Sequence, residues 1–220
     1  MKKRILPNGL TVLTQKREKT ETSSIVVMVK AGAKHETVEA AGISHFVEHM
    51  VFKGTKNIPD PTKLSAVIED VGGLINASTD YDSTNYWIKI PQAHTSKGLD
   101  LLFDMLSNSL FESESIETER TVIAEEINSV SDFPDARCEL NLQKIMWPGT
   151  YLERDIAGSK ETLSSITRSD LIQFSKNNHN CSKIIVSIVG NIDTESITSA
   201  VAELSSKLPH LREQNITSSQ

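Results

Sequence analysis

Residues 40–52 read AAGISHFVEHMVF, and this stretch decides how the rest of the chain is interpreted. The run is typical of one helix, on which His45, Glu48 and His49 share a face because successive residues are rotated by about 100°. Two imidazoles one turn apart can ligate a single Zn²⁺ through nitrogen, and the neighbouring carboxylate can take a proton from water on the metal. The pattern is H-x-x-E-H, the reverse of H-E-x-x-H.

The same residues have a simpler interpretation as a solvated or capping set, because short motifs match by chance. However, Phe46, Val47 and Met50 flank the motif, so the helix is apolar around much of its circumference. Burying imidazole and carboxylate groups is costly unless they are paired or bound to a metal. The sequence of this helix therefore favours a metal site over a solvated set.

A third metal ligand is expected from residues 117–127, which also read as a helix. Glu119 and Glu126 lie two turns apart on one stripe of that helix, whereas Glu125 lies about 100° away and is expected to face water. Glu126 is the candidate ligand. Two histidines and one glutamate leave a fourth zinc position open for water, which is the catalytic rather than the structural pattern.

The chain resembles the pitrilysin (insulinase-like) family of inverzincin metallopeptidases, in the branch that contains mitochondrial processing peptidase and its bacterial relatives. The resemblance is carried by the H-x-x-E-H helix and by the Glu-Arg-x-Val-Ile-x-x-Glu run at 119–126. Further matches are LPNGL at 6–10, KGT at 53–55, GGLINAST at 72–79 and VGNID at 189–193. Together they cover roughly residues 4–209, in the order of the family.

This resemblance implies a zinc-dependent endopeptidase domain that hydrolyses unfolded peptides or presequences. His45, His49 and Glu126 would bind Zn²⁺, and Glu48 would act as the catalytic base and later return the proton to the leaving amine. Glu119 would support the site by bonding a metal ligand, with His45 as the suggested partner. The alternative for Glu119 is a surface charge paired with a neighbour such as Arg120.

The stretch at 72–78 is the expected substrate-binding element. By resemblance it forms an edge strand to which an extended peptide adds, main chain to main chain. Asn76, Ala77 and Ser78 are the expected substrate-binding residues, with the first two nearest the cleavage point. The alternative is an ordinary edge strand that follows a pair of turn glycines.

The composition excludes several other classes of protein. The chain has 220 residues, 38% hydrophobic and 24% charged, which suits one sizeable core. A net charge of −6, with Lys and Arg scattered, argues against a nucleic-acid partner. No stretch approaches 18 apolar residues, so no membrane span is expected. Cys138 and Cys181 match no zinc spacing and give no disulfide framework, which favours a cytoplasmic location, or the periplasm or mitochondrial matrix if a targeting segment has been removed.

The order of elements is neither a strict βαβ alternation nor all-helical, so the fold class is predicted as α+β. The resemblance implies a mixed, largely antiparallel sheet with helices packed on it. Expected strands lie at 5–16 (a hairpin), 24–31, 74–78, 84–90 and 184–189, and the strand at 24–31 should be covered on both faces. Expected helices, besides the two described, lie at 62–71, 99–111, 134–146, 169–177 and 194–208, with a loop at 151–159. Ser113 is expected to cap the helix that carries Glu119 and Glu126.

Residues 1–210 are interpreted as an N-terminal metallopeptidase domain and residues 211–220 as a polar tail or linker. Family members have a second homologous domain with an Arg-Tyr pair that helps to close the site, and no equivalent is found here. A partner domain or subunit is therefore expected for full activity. The alternative function is a non-catalytic scaffold or core-type subunit of the same fold, although every expected ligand and the base are present in this sequence.

Overall fold

The apolar run at 24–31 forms the middle of a sheet. The structure is a computed structural model, which describes residues 1–209. Within those residues the sheet has six strands in the order β1-β2-β6-β3-β5-β4. The strands are β1 (Lys2–Ile5), β2 (Thr11–Lys16), β3 (Thr22–Val29), β4 (Leu74–Thr79), β5 (Thr84–Pro91) and β6 (Ile184–Gly190). β2 and β6 pair in parallel and every other described pair is antiparallel, which confirms the expected mixed, largely antiparallel sheet.

Helices occupy most of the chain between the strands. In the described part they are α1 (Ile43–Met50), α2 (Pro61–Glu69), α3 (Thr95–Asn108), α4 (Ser113–Asp132), α5 (Pro134–Met146), α6 (Lys160–Ser165), α7 (Arg168–Asn178) and α8 (Thr194–Ser205). The α+β class is therefore confirmed. None of these helices is both long enough and apolar enough to cross a bilayer.

One helix prediction was wrong and one helix was missed. Ser113 does not cap α4, because it is the first helical residue and Glu112 takes the position before it. Helix α6 was not predicted, since six residues are too short to show a helical period. Its start was visible as a Ser159–Thr162 capping box, in which each side chain bonds the other residue's main-chain N–H.

The central strand is covered fully on one face only, which corrects the prediction of two covered faces. Along β3, Ile25 and Val27 are fully buried, whereas Val26 and Met28 between them are only half-buried. The buried side packs on α3, where a Cβ built on Gly98 would meet Ile25 at 3.0 Å. A continuous apolar run cannot show which of its faces is covered, so this distinction is visible only in the packing.

Strand β4 lies at the edge of the sheet, as expected, and β1 forms the opposite edge. The hairpin β4–β5 brings that edge beside α1, and α1 also contacts α4 and α7. The sheet edge and the H-x-x-E-H helix are thereby held together by one core. The polar tail expected at 211–220 lies outside the described residues, and the domain boundary at 210 stays a prediction.

His179 is buried at the end of α7, where two groups contact its ring. Its Nδ1 lies 3.2 Å from the carbonyl oxygen of Leu106 and 3.1 Å from the hydroxyl of Ser175. A carbonyl oxygen only accepts, so Nδ1 donates to it. Burial lowers the pKa of His179 to about 4, although the bond to Leu106 opposes that shift.

We predict that acid destabilises the fold through His179. The unfolded chain binds a proton on this imidazole below a pKa of 6.5, whereas the folded chain does so only near 4. The free energy of unfolding should therefore decrease as the pH falls through this window, by about 1–2 kcal/mol between pH 7 and pH 5. Urea unfolding at several pH values measures the slope. His179→Gln should reduce the slope and the control His94→Gln should leave it unchanged; equal slopes in all three proteins would contradict the assignment.

Candidate metal centre

The first two candidate ligands are positioned by the burial of α1. Phe46, Val47 and Met50 are fully buried and anchor the helix, so the opposite pair His45 and His49 shares the remaining face. Their Nε2 atoms lie 3.2 Å apart and their rings meet edge to face. Both imidazoles are largely shielded, with 18% and 17% of their side chains exposed.

Helix α4 brings Glu126 to these histidines, as the sequence predicted. Its Oε2 lies 3.8 Å from Nε2 of His45 and 3.6 Å from Nε2 of His49. In residues 1–209 this is the one cluster of three His, Cys, Asp or Glu side chains whose donor atoms converge closely enough to hold a metal. Glu125, as expected, is exposed.

The donor atoms fit a zinc ion. Tetrahedral zinc with bonds of about 2.0–2.1 Å separates its ligand atoms by roughly 3.3–3.4 Å. The three observed separations run from 3.2 to 3.8 Å. Two imidazole nitrogens and one carboxylate oxygen are also the donor set of catalytic zinc sites, which leave one position free.

Glu119 supports the ligand set through His49, not through His45 as first suggested. Its Oε2 lies 3.0 Å from Nδ1 of His49, and its Oε1 lies 2.6 Å from Nζ of Lys53. Glu119 is only 3% exposed, so the interpretation as a surface charge is also wrong. With Nδ1–H donating to the carboxylate, Nε2 of His49 keeps its lone pair and is directed at the metal position.

The environment of His45 keeps its imidazole available for a metal. Burial, together with the neighbouring His49, lowers the pKa of His45 to about 4. The ring is therefore neutral at any pH well above that value, which is the form that binds a metal.

Glu48 is held by a contact that the sequence reasoning did not identify. The hydroxyl of Thr79, at the end of β4, donates to its Oε2. Burial raises the pKa of Glu48 above its ordinary value, and the bond from Thr79 opposes that rise. Such a carboxylate is a better base than an exposed one. The contact joins residues 31 apart in sequence, so no spacing rule pairs them.

Lys53 is a second residue without a predicted role. It is part of the KGT run at 53–55, and its ammonium group forms an ion pair with Glu119. Lys53 lies beyond the end of α1 at Met50, so no helical spacing rule pairs it with the carboxylate that holds His49.

The open edge of β4 carries the main-chain groups of alternate residues. Asp80 N–H donates to the carbonyl of Ser83 at 2.9 Å, so the turn begins with a hydrogen-bonded pair. Hydrogen-bonded and non-hydrogen-bonded pairs alternate along an antiparallel ladder. From the register, the N–H and C=O groups of Ile75, Ala77 and Thr79 therefore point away from β5, to the open edge.

The main-chain groups of the three predicted substrate-binding residues differ in direction: some face the open edge and some face β5. Ala77 is central among those whose main chain faces outward, whereas the main-chain groups of Asn76 and Ser78 bond β5. The Asn76 carboxamide bonds one of these outward main-chain groups, because its Oδ1 accepts from Ala77 N–H at 2.8 Å. A cavity of about 390 Å³ adjoins the edge and the metal ligands, and Asn76 and Ile75 line it.

A helix with H-x-x-E-H, a glutamate brought to it by a second helix and an adjoining edge strand are together the features of the inverzincin class. A family model described as Insulinase (Peptidase family M16) matches residues 11–160, and the chain belongs to this family. The finding confirms the resemblance drawn from the motifs.

Individual relatives agree with this assignment. The chain is 36% identical over 203 residues to a probable mitochondrial-processing peptidase subunit beta from Arabidopsis thaliana, a match covering 92% of this chain and 38% of the relative. It is 33% identical to an uncharacterized zinc protease from Rickettsia felis, over 96% of this chain and 51% of the relative. The crystal structure of a protease from Helicobacter pylori matches with a TM-score of 0.92 at 26% identity, over 99% of this chain and 52% of that one. The chain thus spans about half, or less, of these relatives' length.

We predict that the chain binds one Zn²⁺ through these side chains. His45→Ala, His49→Ala and Glu126→Gln should each weaken binding strongly, because each removes a ligand. Glu119→Gln should weaken it by about 10- to 100-fold, since it loosens the orientation of His49. Glu125→Gln is the matched control on the same helix. Competition with a chromophoric chelator measures the affinities, and full zinc occupancy in Glu126→Gln would refute the ligand assignment.

Proposed function

We propose that this chain is a zinc-dependent endopeptidase domain that hydrolyses unfolded peptides or presequences. The observation that carries the proposal is the position of Glu48, whose carboxylate is anchored by Thr79 beside a fitting zinc-ligand set. A structural zinc site needs no such base. The alternative function, a non-catalytic scaffold, would give no reason to retain this contact.

The residues of the chain divide the chemistry between them. Zinc, when bound by His45, His49 and Glu126, supplies a Lewis acid that polarises the scissile carbonyl and makes water more acidic. Glu48 takes a proton from the attacking water and delivers it to the nitrogen of the leaving amine, so the carboxylate is regenerated. Thr79 keeps that carboxylate in one orientation throughout.

The substrate is proposed to add to β4 as a further strand. Ile75, Ala77 and Thr79 present main-chain donors and acceptors to it, and the last of these residues also holds Glu48. Recognition of this kind reads an extended backbone, so an unfolded segment binds and a folded domain does not. The Asn76 carboxamide must release Ala77 N–H when a substrate takes its place.

The other edge of the sheet is unsuited to this role. β1 has only four residues, and three of them are the basic Lys2, Lys3 and Arg4. Short, charged edges discourage strand addition. β4 has six uncharged residues and lies beside the metal ligands. These differences favour β4 over β1 as the edge to which a peptide adds.

A second homologous domain or subunit is proposed to complete the site. The side chain of Glu126 is 46% exposed, and Val122, one turn before it on α4, is 40% exposed, so this side of the metal centre is open to solvent. Excluding water and fixing the substrate carbonyl both need a wall there. The relatives are longer than this chain by about as much again or more, which supports such a partner. The cytoplasmic location stays a prediction, since the Arabidopsis relative is named as mitochondrial.

We predict that residues 1–220 bind zinc alone but cleave peptides weakly. Adding a homologous second domain or subunit, in cis or as a separate chain, should restore activity because it would supply a wall on this side of the site. The assay is hydrolysis of a quenched fluorescent peptide across a titration of that partner, with Glu48→Gln as the inactive control. Full activity without a partner, in a sample shown to be monomeric, would contradict the need for a second domain.

We predict a specific role for Thr79 in the reconstituted enzyme. Thr79→Val removes the hydroxyl but keeps the shape, so kcat should fall by about 10- to 100-fold as Glu48 loses its anchor. KM and zinc content should change little, and Thr79→Ser should recover most of the activity. Steady-state kinetics separates these effects. A Val variant as active as the Ser variant would show that the hydroxyl contributes nothing to turnover.

A further inference from the structure

Glu36 is a partly buried carboxylate that the proposed chemistry does not use. It lies in the loop before α1, and each of its oxygens accepts one main-chain hydrogen bond from the start of that helix. Gly42 N–H donates to Oε2 at 2.8 Å and Ser44 N–H donates to Oε1 at 2.8 Å. Ser44 is the second helical residue and directly precedes the ligand His45.

Helix α1 cannot cap itself in the ordinary way. The residue before its first turn is Gly42, which has no side chain to accept from the free N–H groups there. Gly42 has φ of +96°, and a Cβ at this position would lie 2.5 Å from the carbonyl oxygen of Ala157. A Ser, Thr, Asp or Asn cap is therefore excluded by the close approach of the chain, and Glu36 takes that function from six residues away.

Two side chains from later in the sequence bond the loop that carries Glu36. Nη1 of Arg154 donates to the carbonyl of Thr37 at 3.1 Å, and the hydroxyl of Thr162 donates to the carbonyl of Ala41 at 2.8 Å. A carboxylate held at the N-terminus of a helix also interacts favourably with the helix dipole. These contacts give the cap a defined position relative to the rest of the domain.

The two histidines of α1 differ in how they are held. His49 is fixed by Glu119 through its Nδ1. Nδ1 of His45 is buried and has no hydrogen-bond partner among residues 1–209. The place of His45 therefore depends on the first turn of a helix only eight residues long. If that turn frayed, His45 would be displaced while Glu119 still held His49.

We infer that Glu36 is a positioning residue of the metal centre, which caps α1 and thereby holds His45 at the metal. The inference rests on the proposed zinc site. It assigns the carboxylate no contact with metal or substrate.

The test is Glu36→Gln, with Glu39→Gln as the matched control. Glutamine has the same shape but only one acceptor oxygen, so one of the two capping bonds is lost. Glu39 is exposed, lies in the same loop and gives the same change of charge. Loss of a cap changes helix stability by a factor of about 2–30. Zinc affinity, measured by chelator competition, should fall by about 10-fold in Glu36→Gln and stay unchanged in Glu39→Gln.

Cobalt substitution gives a readout that general destabilisation does not. The visible d–d bands of bound Co²⁺ report the ligand geometry, and they should change in Glu36→Gln at saturating metal but not in the control. Equal affinity and equal spectra in all three proteins would overturn the inference. If Glu36→Gln does not fold, amide hydrogen exchange of the wild-type protein tests the capping bond instead. Protection of the Ser44 amide supports the cap, and exchange at the rate of an open chain overturns it.

The outcomes also separate this inference from the proposed function. A wild-type chain that binds no zinc would overturn the metal centre and the role of Glu36 together. A zinc-loaded, reconstituted protein that cleaves no peptide would overturn only the endopeptidase function and leave the effect on zinc affinity standing.

Discussion

The site depends on placing three carboxylates close to two imidazoles in a partly buried space. Glu48, Glu119 and Glu126 repel one another, and their burial is unfavourable unless positive charge is nearby. Lys53 offsets Glu119 at 2.6 Å, and a divalent cation at the ligand position would offset Glu126. The packing of α4 on α1 brings these groups together, so a cation bound there would stabilise the same helix pair as the packing does.

The side chains of the site differ in how firmly their contacts hold them. His49 is hydrogen-bonded to Glu119, which in turn forms an ion pair with Lys53. Glu48 is held by one hydroxyl, and Glu126 is half open to water. The fixed groups are those that orient the metal ligands and the base. The open group lies on the side where the proposed partner would approach. This gradient is what is expected of half of a two-part active site, in which one wall is rigid and the other is supplied by association.

Much of this site could be predicted from the sequence, for reasons that particular residues make clear. Helical periodicity places His45, Glu48 and His49 on one face and Glu119 and Glu126 on one stripe, because these relations are local. Helical periodicity cannot show which imidazole contacts Glu119, because that depends on the angle at which α1 and α4 cross. The suggested partner, His45, was therefore wrong. The edge position of β4 came from family resemblance. The contacts of Thr79 and Glu36 were missed because they involve a side chain meeting a distant hydroxyl or a main-chain amide, which leaves no periodic trace.

The open edge of β4 has a further consequence for the behaviour of the protein in concentrated solution. A strand with unpaired main-chain groups and no charge can pair with the same strand of another molecule and begin an aggregate. The Asn76 carboxamide already occupies Ala77 N–H, in the middle of this edge. Any incoming strand must displace that amide before it can continue the ladder. The displacement that a bound peptide would have to make therefore also makes self-association of the folded molecules less favourable.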